Sequence, residues 1–159
     1  EEPDGRKMFY EGAQGDERMV RAEFSDGGTV FFEGEAGAER KVRAEYPDGR
    51  KYFFVGEKGA ERKVRVVFRN GREQFYEGAK SFERAVRVEE PDGRKMFYEG
   101  AQGDERMVRA EEPDGRKVFY EGRRGAERKV REEGPDDDTS GKRQRIAALA
   151  ARGFVVDFP

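Results

Sequence analysis

The chain has 159 residues, of which only 34% are apolar and 43% are charged, and this composition excludes an ordinary globular core. Its 33 basic and 35 acidic residues nearly cancel to a net charge of −2, which is not the charge distribution of a dedicated nucleic-acid or polyanion binder. The absence of His, Cys and Trp excludes thiol redox chemistry, Cys or His nucleophiles and bases, and zinc sites with nitrogen or sulfur ligands.

No apolar run is long enough to form a transmembrane helix or a signal peptide, so we expect a cytoplasmic location. The chain does not begin with Met, and its first residues lead directly into a turn. We therefore also expect it to be part of a longer protein.

A turn dipeptide recurs along the chain with a period of 22 residues and without an insertion. It is Asp-Gly at residues 4–5, 26–27, 48–49, 92–93 and 114–115, Asn-Gly at 70–71, and a degenerate Asp-Asp at 136–137. Residues 1–22 and 89–110 are identical. The period predicts six 22-residue repeats within residues 1–133, followed by an acidic linker at 134–138 and a segment of different composition at 139–159.

Each repeat is predicted to form one β-hairpin. Pro3-Asp4-Gly5 is typical of a type I turn followed by a left-handed glycine. The aromatic run at 7–12 predicts a strand, the glycine-rich segment 12–16 predicts a loop, and the run at 18–23 predicts the returning strand. The predicted fold class is therefore all-β, an elongated antiparallel meander of about twelve strands in a single-layer sheet that is twisted or coiled.

The register near the Asp-Gly turn follows from the turn itself. If Phe24 pairs with Gly28, then Ala22 lies opposite Val30, because successive side chains alternate between the two faces of a sheet.

At the other end of the hairpin, pairing of Gly12 with Arg18 would place Tyr10 opposite Val20 and Met8 opposite Ala22. The two registers together define an apolar face, which carries the equivalents of Tyr10 and Met8, and a ladder face, which carries the equivalents of Phe9 and Arg21. The apolar face is the predicted binding face, with Tyr10, Phe32, Phe54, Tyr76, Tyr98 and Tyr120 beside Val20, Val42, Val64, Val86, Val108 and Val130. The ladder face alternates Phe9, Arg21, Phe31, Arg43, Phe53, Arg65, Phe75, Arg87, Phe97, Arg109, Phe119 and Arg131, between mixed rows such as Lys7 with Glu23 and Glu11 with Lys41.

Interleaving of arginine and phenylalanine is energetically favourable on such a sheet. Equivalent arginines would lie about 9.6 Å apart with a ring between them, where their repulsion in water is only about 0.4 kcal/mol. A guanidinium over a ring face gains about 0.5–1 kcal/mol. The high charged fraction is therefore interpreted as sheet surface rather than as the signature of a disordered chain.

The segment 139–159 contains the only Ile and Leu residues, Ile146 and Leu149. Thr139 or Ser140 can cap a helix that ends before Gly153, and residues 154–158 resemble a short strand. We interpret the segment as a terminal cap on the last hairpin; the alternative is docking of its basic residues to a membrane or a calmodulin-like partner.

None of the motifs predicts catalysis or a cofactor. The pair Glu17-Arg18 recurs in all six repeats, whereas catalytic carboxylates are expected at one place, so a structural or surface role is favoured. One Asp per turn falls far short of the six to eight oxygen ligands of calcium. We therefore predict no catalytic, cofactor-binding or metal-binding residues and no enzymatic activity.

A flat sheet of this size would be about 55–60 Å long and expose about 800–1,000 Å² of apolar surface. It must be coiled on itself, covered by another copy, or used for binding. We predict a protein-binding or scaffold module; the alternative is a structural spacer or a self-assembling element. A protein partner or self-association is expected, and a nucleic acid, a membrane or a small-molecule substrate is not.

The run Tyr10-Glu11-Gly12 and the turns Ser25-Asp26-Gly27 and Pro113-Asp114-Gly115 resemble the Tyr-x-Gly and Asp-Gly elements of MORN-type hairpin repeats. The resemblance covers residues 1–138. The period is one residue shorter than in that family, and Gly-x-Glu-Arg-x-Val-Arg stands where the family has Gly-Lys-x-x-Gly-x-Gly. The resemblance implies an elongated antiparallel sheet that serves protein association, scaffolding or dimerisation, sometimes close to a membrane, and it assigns lipid binding to no residue.

Overall fold

The structure of the chain is a computed structural model that describes residues 3–135. These residues form one open antiparallel sheet of twelve strands, in which each strand pairs with its neighbours in sequence. The strands are β1 (Lys7–Glu11), β2 (Arg18–Glu23), β3 (Thr29–Glu33), β4 (Arg40–Glu45), β5 (Lys51–Val55), β6 (Arg62–Val67), β7 (Glu73–Glu77), β8 (Arg84–Glu89), β9 (Lys95–Glu99), β10 (Arg106–Glu111), β11 (Lys117–Glu121) and β12 (Arg128–Glu133). The prediction of an all-β meander is confirmed.

The predicted helix and strand within residues 139–159 lie outside the described residues, as does most of the predicted acidic linker at 134–138. In the part of the chain that the structure describes, no helix could cross a membrane.

The Asp-Gly turns have the predicted three-residue geometry. Between β2 and β3, the amide of Phe24 donates to the carbonyl of Gly28 at 2.8 Å, and the amide of Gly27 donates to the carbonyl of Phe24 at 3.0 Å. Gly27 has φ of 88°, a left-handed conformation that favours glycine. The carboxylate of Asp26 accepts a hydrogen bond from the amide of Gly28, which explains why the turn requires Asp or Asn at this position.

The glycine-rich loop between β1 and β2 also depends on one glycine. Gly12 has φ of 120°, and a Cβ added there would lie only 2.5 Å from the carbonyl oxygen of Asp16. The amide of Asp16 donates to the carbonyl of Ala13 and closes the loop. The chain can therefore reverse direction tightly only because Gly12 has no side chain.

The predicted register is confirmed at the turn end of the hairpins and wrong at the loop end. Ala22 lies opposite Val30 across one strand pair and opposite Met8 across the other. Beyond that point Tyr10 pairs with Met19, and not with Val20.

The cause is a β-bulge. One extra residue of β2 enters the pairing between Phe9 and Tyr10, so that Glu11, rather than Gly12, lies opposite Arg18. The same register shift occurs in all six hairpins.

The bulge moves two rows of side chains to the opposite face. Two neighbouring residues of the bulged strand share one partner and point to the same side, so Val20 joins Arg21 on the ladder face. Consistent with this, Val86 and Val108 line a hollow together with Phe97 and Phe119. In exchange, the row of Met19 and Lys41 lies on the apolar face. Two expectations are therefore wrong. Lys41 does not lie on the ladder face with Glu11, and the valine row does not lie on the apolar face; its members are Val20, Val42, Val64, Val86, Val108 and Val130.

The core is one row of small side chains along the middle of the apolar face. Its members are at most 6% exposed, and they are Ala22, Ala44, Val66, Val88, Ala110 and Val118. Larger neighbours in adjacent strands, such as Met8 and Val30, cover them from both sides. Among the described strands no second layer covers this face, and the low apolar content of the sequence reflects this thin core.

Candidate functional site: the two faces of the sheet

On the ladder face, each arginine lies over the ring of the phenylalanine opposite it. This follows from the register, which pairs each Arg of β2 to β10 with a Phe on both sides and Arg131 of β12 with Phe119 on one side. The distances from the guanidinium carbon to the ring centre are 3.9 Å for Arg21 on Phe9, 4.0 Å for Arg43 on Phe31, 5.1 Å for Arg65 on Phe53, 4.0 Å for Arg87 on Phe75, 4.0 Å for Arg109 on Phe97 and 4.1 Å for Arg131 on Phe119.

The arginines of the ladder are also ion-paired within the sheet. Five of them contact the glutamate two residues later on the same strand, at 3.0–3.3 Å: Arg21 with Glu23, Arg43 with Glu45, Arg87 with Glu89, Arg109 with Glu111 and Arg131 with Glu133. Since each guanidinium has both a ring and a carboxylate, the charge of this face is largely matched internally.

Arg65 is the exception, because Val67 stands where the other hairpins have glutamate. Its guanidinium instead makes two hydrogen bonds, of 2.9 and 2.8 Å, to Glu73 on the neighbouring strand. It lies between two rings, 5.1 Å from the centre of Phe53 and 6.0 Å from that of Phe75. In this hairpin the ion pair therefore joins two neighbouring strands, and Arg65 still lies in line with the other arginines of the ladder.

The ladder face also contains apolar hollows beside the bulges. One, of about 420 Å³, is lined by Val86, Val108, Phe97 and Phe119. An equivalent hollow of about 380 Å³ lies one hairpin earlier and includes Val64. They lie in two successive hairpins and belong to the ladder face, since Arg109 or Arg87 forms part of each lining.

On the apolar face, lysines lie between the aromatic residues. The ammonium group of Lys41 is 3.9 Å from the centre of the Phe54 ring, and that of Lys63 is 3.7 Å from the centre of the Tyr76 ring. Burial lowers the pKa of Lys63 and raises the pKa values of Tyr76 and Tyr98. The tyrosines therefore keep their hydroxyl protons at neutral pH, and this row offers ring faces, hydroxyl donors and cations side by side.

The apolar face also carries exposed rings beside the first turns. Phe24 is 38% exposed, Tyr46 is 43% exposed, and Tyr10, at the opposite edge of this face, is 57% exposed. Tyr46 packs edge-on against Tyr52 with ring centres 5.0 Å apart. Phe24 and Tyr46 were not among the predicted site residues, although the period of the sequence places them, with Phe68, at equivalent positions.

The aromatic surface at the turns is confined to the first half of the sheet. Phe68 is followed one period later by Glu90 and then by Glu112, which form ion pairs with Arg72 and Arg94. The two halves of this edge therefore differ in chemistry: the first is aromatic and the second is an ion-pair network.

The Glu-Arg pairs link each hairpin to its neighbours. A glutamate before each even-numbered strand from β4 onward accepts a hydrogen bond from the backbone amide beside the bulge of the preceding hairpin. We call them the inter-hairpin glutamates. The carboxylate of Glu39 accepts from the amide of Met19 at 3.2 Å, and the equivalent bonds are Glu61 from Lys41 at 3.1 Å, Glu83 from Lys63 at 3.0 Å, Glu105 from Ala85 at 3.3 Å and Glu127 from Met107 at 3.3 Å.

These hydrogen bonds lower the carboxyl pKa values. For Glu39 and Glu61 the largest cause is the hydrogen bond from the residue's own backbone amide, and the amide of the preceding hairpin adds to it. The arginine that follows binds in the opposite direction, since Arg84 and Arg106 donate to the carbonyl oxygens of Gly100 and Gly122 in the next hairpin, each at 2.9 Å. The recurring Glu-Arg pair is thus placed to join hairpins.

Two larger hollows lie at the loop edge and differ in charge. The first, of about 550 Å³, is lined by Glu11, Asp16, Glu35 and Arg18, with Gly12 and Ala36. The second, of about 490 Å³, is lined by Arg106, Arg123, Arg124 and Asp104, with Gly100 and Gly122. Within residues 3–135, no group of three or more acidic side chains could hold a metal ion.

A comparison with protein-family models found no family that matches the chain, and a comparison with curated proteins found no matching relative.

Proposed function

We propose that the chain is a non-enzymatic array of six 22-residue β-hairpin repeats, related to MORN-type repeats, that binds a protein partner through its apolar face and acts as a scaffold. The observation that carries this proposal is the exposure of large aromatic side chains on a sheet that no second layer covers within residues 3–135. Tyr10, Tyr46 and Phe24 are each more than one third exposed. Exposed aromatic clusters of this kind are typical of protein interfaces.

The contrast between the faces supports the apolar face as the binding surface. On the ladder face, arginines such as Arg21 already contact a ring and a carboxylate, so a partner would have to displace contacts made within the sheet. On the apolar face, rings such as Tyr46 have one side packed and the other open. Aromatic residues held in this way lose little conformational entropy on binding.

The cations of the apolar face define the chemistry of the partner. Lys41 and Lys63 lie over aromatic rings, and neither forms a salt bridge within residues 3–135, although the carboxylate of Glu83 is near enough to Lys63 to oppose the lowering of its pKa by burial. A complementary partner would therefore present apolar side chains to Tyr46 and Phe24 and carboxylates to the lysine row.

The second candidate is a structural spacer or self-assembling element, and the same uncovered face favours it. A second copy could cover the apolar face as well as a different protein could. Light scattering of the purified chain separates the two: a monomer that binds a hydrophobic dye supports a missing partner, and a dimer or polymer supports self-assembly.

The test uses the double variant Phe24→Ser/Tyr46→Ser, which removes two exposed rings and leaves the buried row intact. The control is Phe82→Ser, since Phe82 is 71% exposed in the loop between β7 and β8, at the opposite edge of the sheet from Phe24 and Tyr46. In quantitative affinity capture from the native source, proteins bound by the wild-type chain should be reduced at least tenfold by the double variant and retained by the control. The same set of proteins at unchanged abundance with the double variant would contradict the proposal.

A further inference from the structure

The last strand, β12, differs from the other strands at one position of the buried row. In β2, β4, β6, β8 and β10 this position holds Ala or Val and is at most 4% exposed: Ala22, Ala44, Val66, Val88 and Ala110. In β12 it holds Glu132, which lies opposite Val118 and is exposed.

The carboxylate of Glu132 is held in place by two cations. Arg116 donates a hydrogen bond to it at 3.3 Å, and Lys129 on its own strand donates another. These hydrogen bonds lower its pKa, the one from Lys129 being the larger cause, so the group is charged at neutral pH. A charge therefore stands at a position that holds Ala or Val in the other even-numbered strands.

The rest of β12 retains the pairing groups of an internal strand. The side chain of Arg131 is 60% exposed, compared with 37–40% for the other five ladder arginines, because none of the described strands lies on its outer side. Glu133 occupies the position of Glu111, which lies opposite Lys117 in the next hairpin. Within β12, only Glu132 differs in kind from the residues that an internal strand presents to the next strand.

The outer edge of β1 has the sequence that such a strand needs. Residues 1–22 and 89–110 are identical, and β9 of the second copy pairs with β8 through Arg87–Phe97, Val88–Met96 and Glu89–Lys95. Among the described strands β1 has only β2 as a neighbour. In the same register, β12 of one chain would meet β1 of another through Arg131–Phe9, Glu132–Met8 and Glu133–Lys7.

We propose that Glu132 makes β12 a terminating edge, which prevents the sheet from continuing into β1 of a second copy of the chain. Two of the three opposed pairs in that junction would be favourable, but the third would bury the carboxylate against Met8 and strip it of water. A charge that points into the apolar row of an edge strand is a known means of preventing edge-to-edge pairing. The block acts at the sheet edge and does not depend on the proposed binding role of the apolar face.

The test is the variant Glu132→Ala in the full chain, with Glu99→Ala as the control, since Glu99 is an exposed glutamate of an internal strand. Size-exclusion chromatography with light scattering should show Glu132→Ala at no less than twice the mass of wild type and of the control. Because this contact is head-to-tail and does not close, species larger than a dimer should grow with concentration.

A second substitution identifies the edge that is used. Met8→Glu added to Glu132→Ala should restore the wild-type mass, because it places a carboxylate in the same row from the opposite edge. Glu132→Val provides a second version of the test if the alanine variant loses its β-sheet circular dichroism, since valine favours strands. Adding Phe24→Ser/Tyr46→Ser should leave assembly of Glu132→Ala unchanged, which separates this proposal from the binding role of the apolar face.

The proposal is overturned if folded Glu132→Ala and Glu132→Val keep the mass of wild type. It is equally overturned if the wild-type chain already assembles and Met8→Glu alone abolishes that assembly.

Discussion

Arg65 shows how a ladder arginine is held when the glutamate on its own strand is missing. Its strand lacks the usual glutamate because Val67 stands there, and the guanidinium turns to Glu73 on the next strand while remaining between Phe53 and Phe75. An exposed ion pair contributes about 0–1 kcal/mol and a cation–π contact about 0.5–1 kcal/mol, so the two contacts are comparable in size. Their geometry differs: the ring is fixed by the register, whereas the carboxylate can come from either strand.

Ser81 is the one non-glycine residue with positive φ among residues 3–135. Its φ is 67°, and the equivalent loop positions, such as Gly59 and Gly103, hold glycine. A Cβ at those glycines would meet no atom within 4 Å, so the strain at Ser81 comes from the backbone and not from crowding. We expect Ser81→Gly to raise the free energy of unfolding by about 1 kcal/mol, as measured by urea denaturation.

The matched control is the reverse change one hairpin earlier. Gly59→Ser should lower the free energy of unfolding by a similar amount, because the same conformation is imposed there. A stabilising Gly59→Ser, or a destabilising Ser81→Gly, would show that the loop does not impose a left-handed conformation in solution.

At the scale of the strand, the bulge decides which side chains share a face. Strict alternation gives the correct partners for Ala22 and Met8 but fails for Val20, because one residue in each returning strand has no partner of its own. The sequence contains no glycine or proline at the bulge that would mark it. The amide beside the bulge is instead bound by Glu39, which is 20 residues away in sequence, so no local pattern could reveal this contact.

The turn geometry and the ladder could be predicted from the sequence, because they depend on contacts between residues that are close in sequence. Asp26-Gly27 forms its turn through contacts within five residues, and the alternation of Phe and Arg needs only the register beside that turn. The predicted valine row was wrong because it depended on the register beyond the bulge. The exposure of Tyr46 and Phe24 could be recognised only once neighbouring side chains were placed.

The inter-hairpin glutamates make the stability of the sheet depend on pH. Glu61 accepts hydrogen bonds that lower its pKa in the folded state, with its own backbone amide as the largest cause. Its contribution is therefore complete above the unfolded-state pKa and is lost as pH falls through the lower folded-state pKa. In urea denaturation from neutral pH to about pH 3, Glu61→Gln should begin less stable than wild type and lose less stability over that range.

Glu17→Gln is the control for this prediction. Glu17 occupies the same loop position, and its carboxylate accepts from the amide of Gly15, but among the described strands no hairpin precedes it. The stability of Glu17→Gln should therefore follow the pH dependence of wild type more closely than the stability of Glu61→Gln does. Identical profiles for the two variants would show that the contact between hairpins contributes nothing to the pH dependence.

At the scale of the whole molecule, the sheet is a one-dimensional array. Each strand packs mainly against its sequence neighbours, and the buried row gains one small side chain per hairpin. A single hairpin buries too little to offset the entropy of ordering 22 residues, so stability must come from the contacts between hairpins. The charged fraction of 43% is compatible with this fold because most of these side chains lie on the surfaces and edges of a single layer.

The array should tolerate removal of one whole hairpin. Deletion of residues 90–111 joins β8 to the turn before β11 and creates the pairs Glu89–Lys117, Val88–Val118 and Arg87–Phe119. The first and third are of kinds already present in the sheet, and the second places two valines of the apolar face opposite each other. The shortened chain should fold into ten strands, unfold cooperatively, and have a urea m-value lower by about one sixth, because m scales with the surface exposed on unfolding.

Deletion of residues 90–99 is the control, because it removes the single strand β9 with the turn before it and keeps the loop that begins at Gly100. It joins β8 to the loop before β10 and would oppose Arg87 with Arg109 without a ring between them. This chain should lose cooperative unfolding, since it disrupts the ladder and places like charges opposite one another. If both deletions unfolded with the same midpoint and m-value, the alternation of Phe and Arg strands would not be what holds the hairpins together.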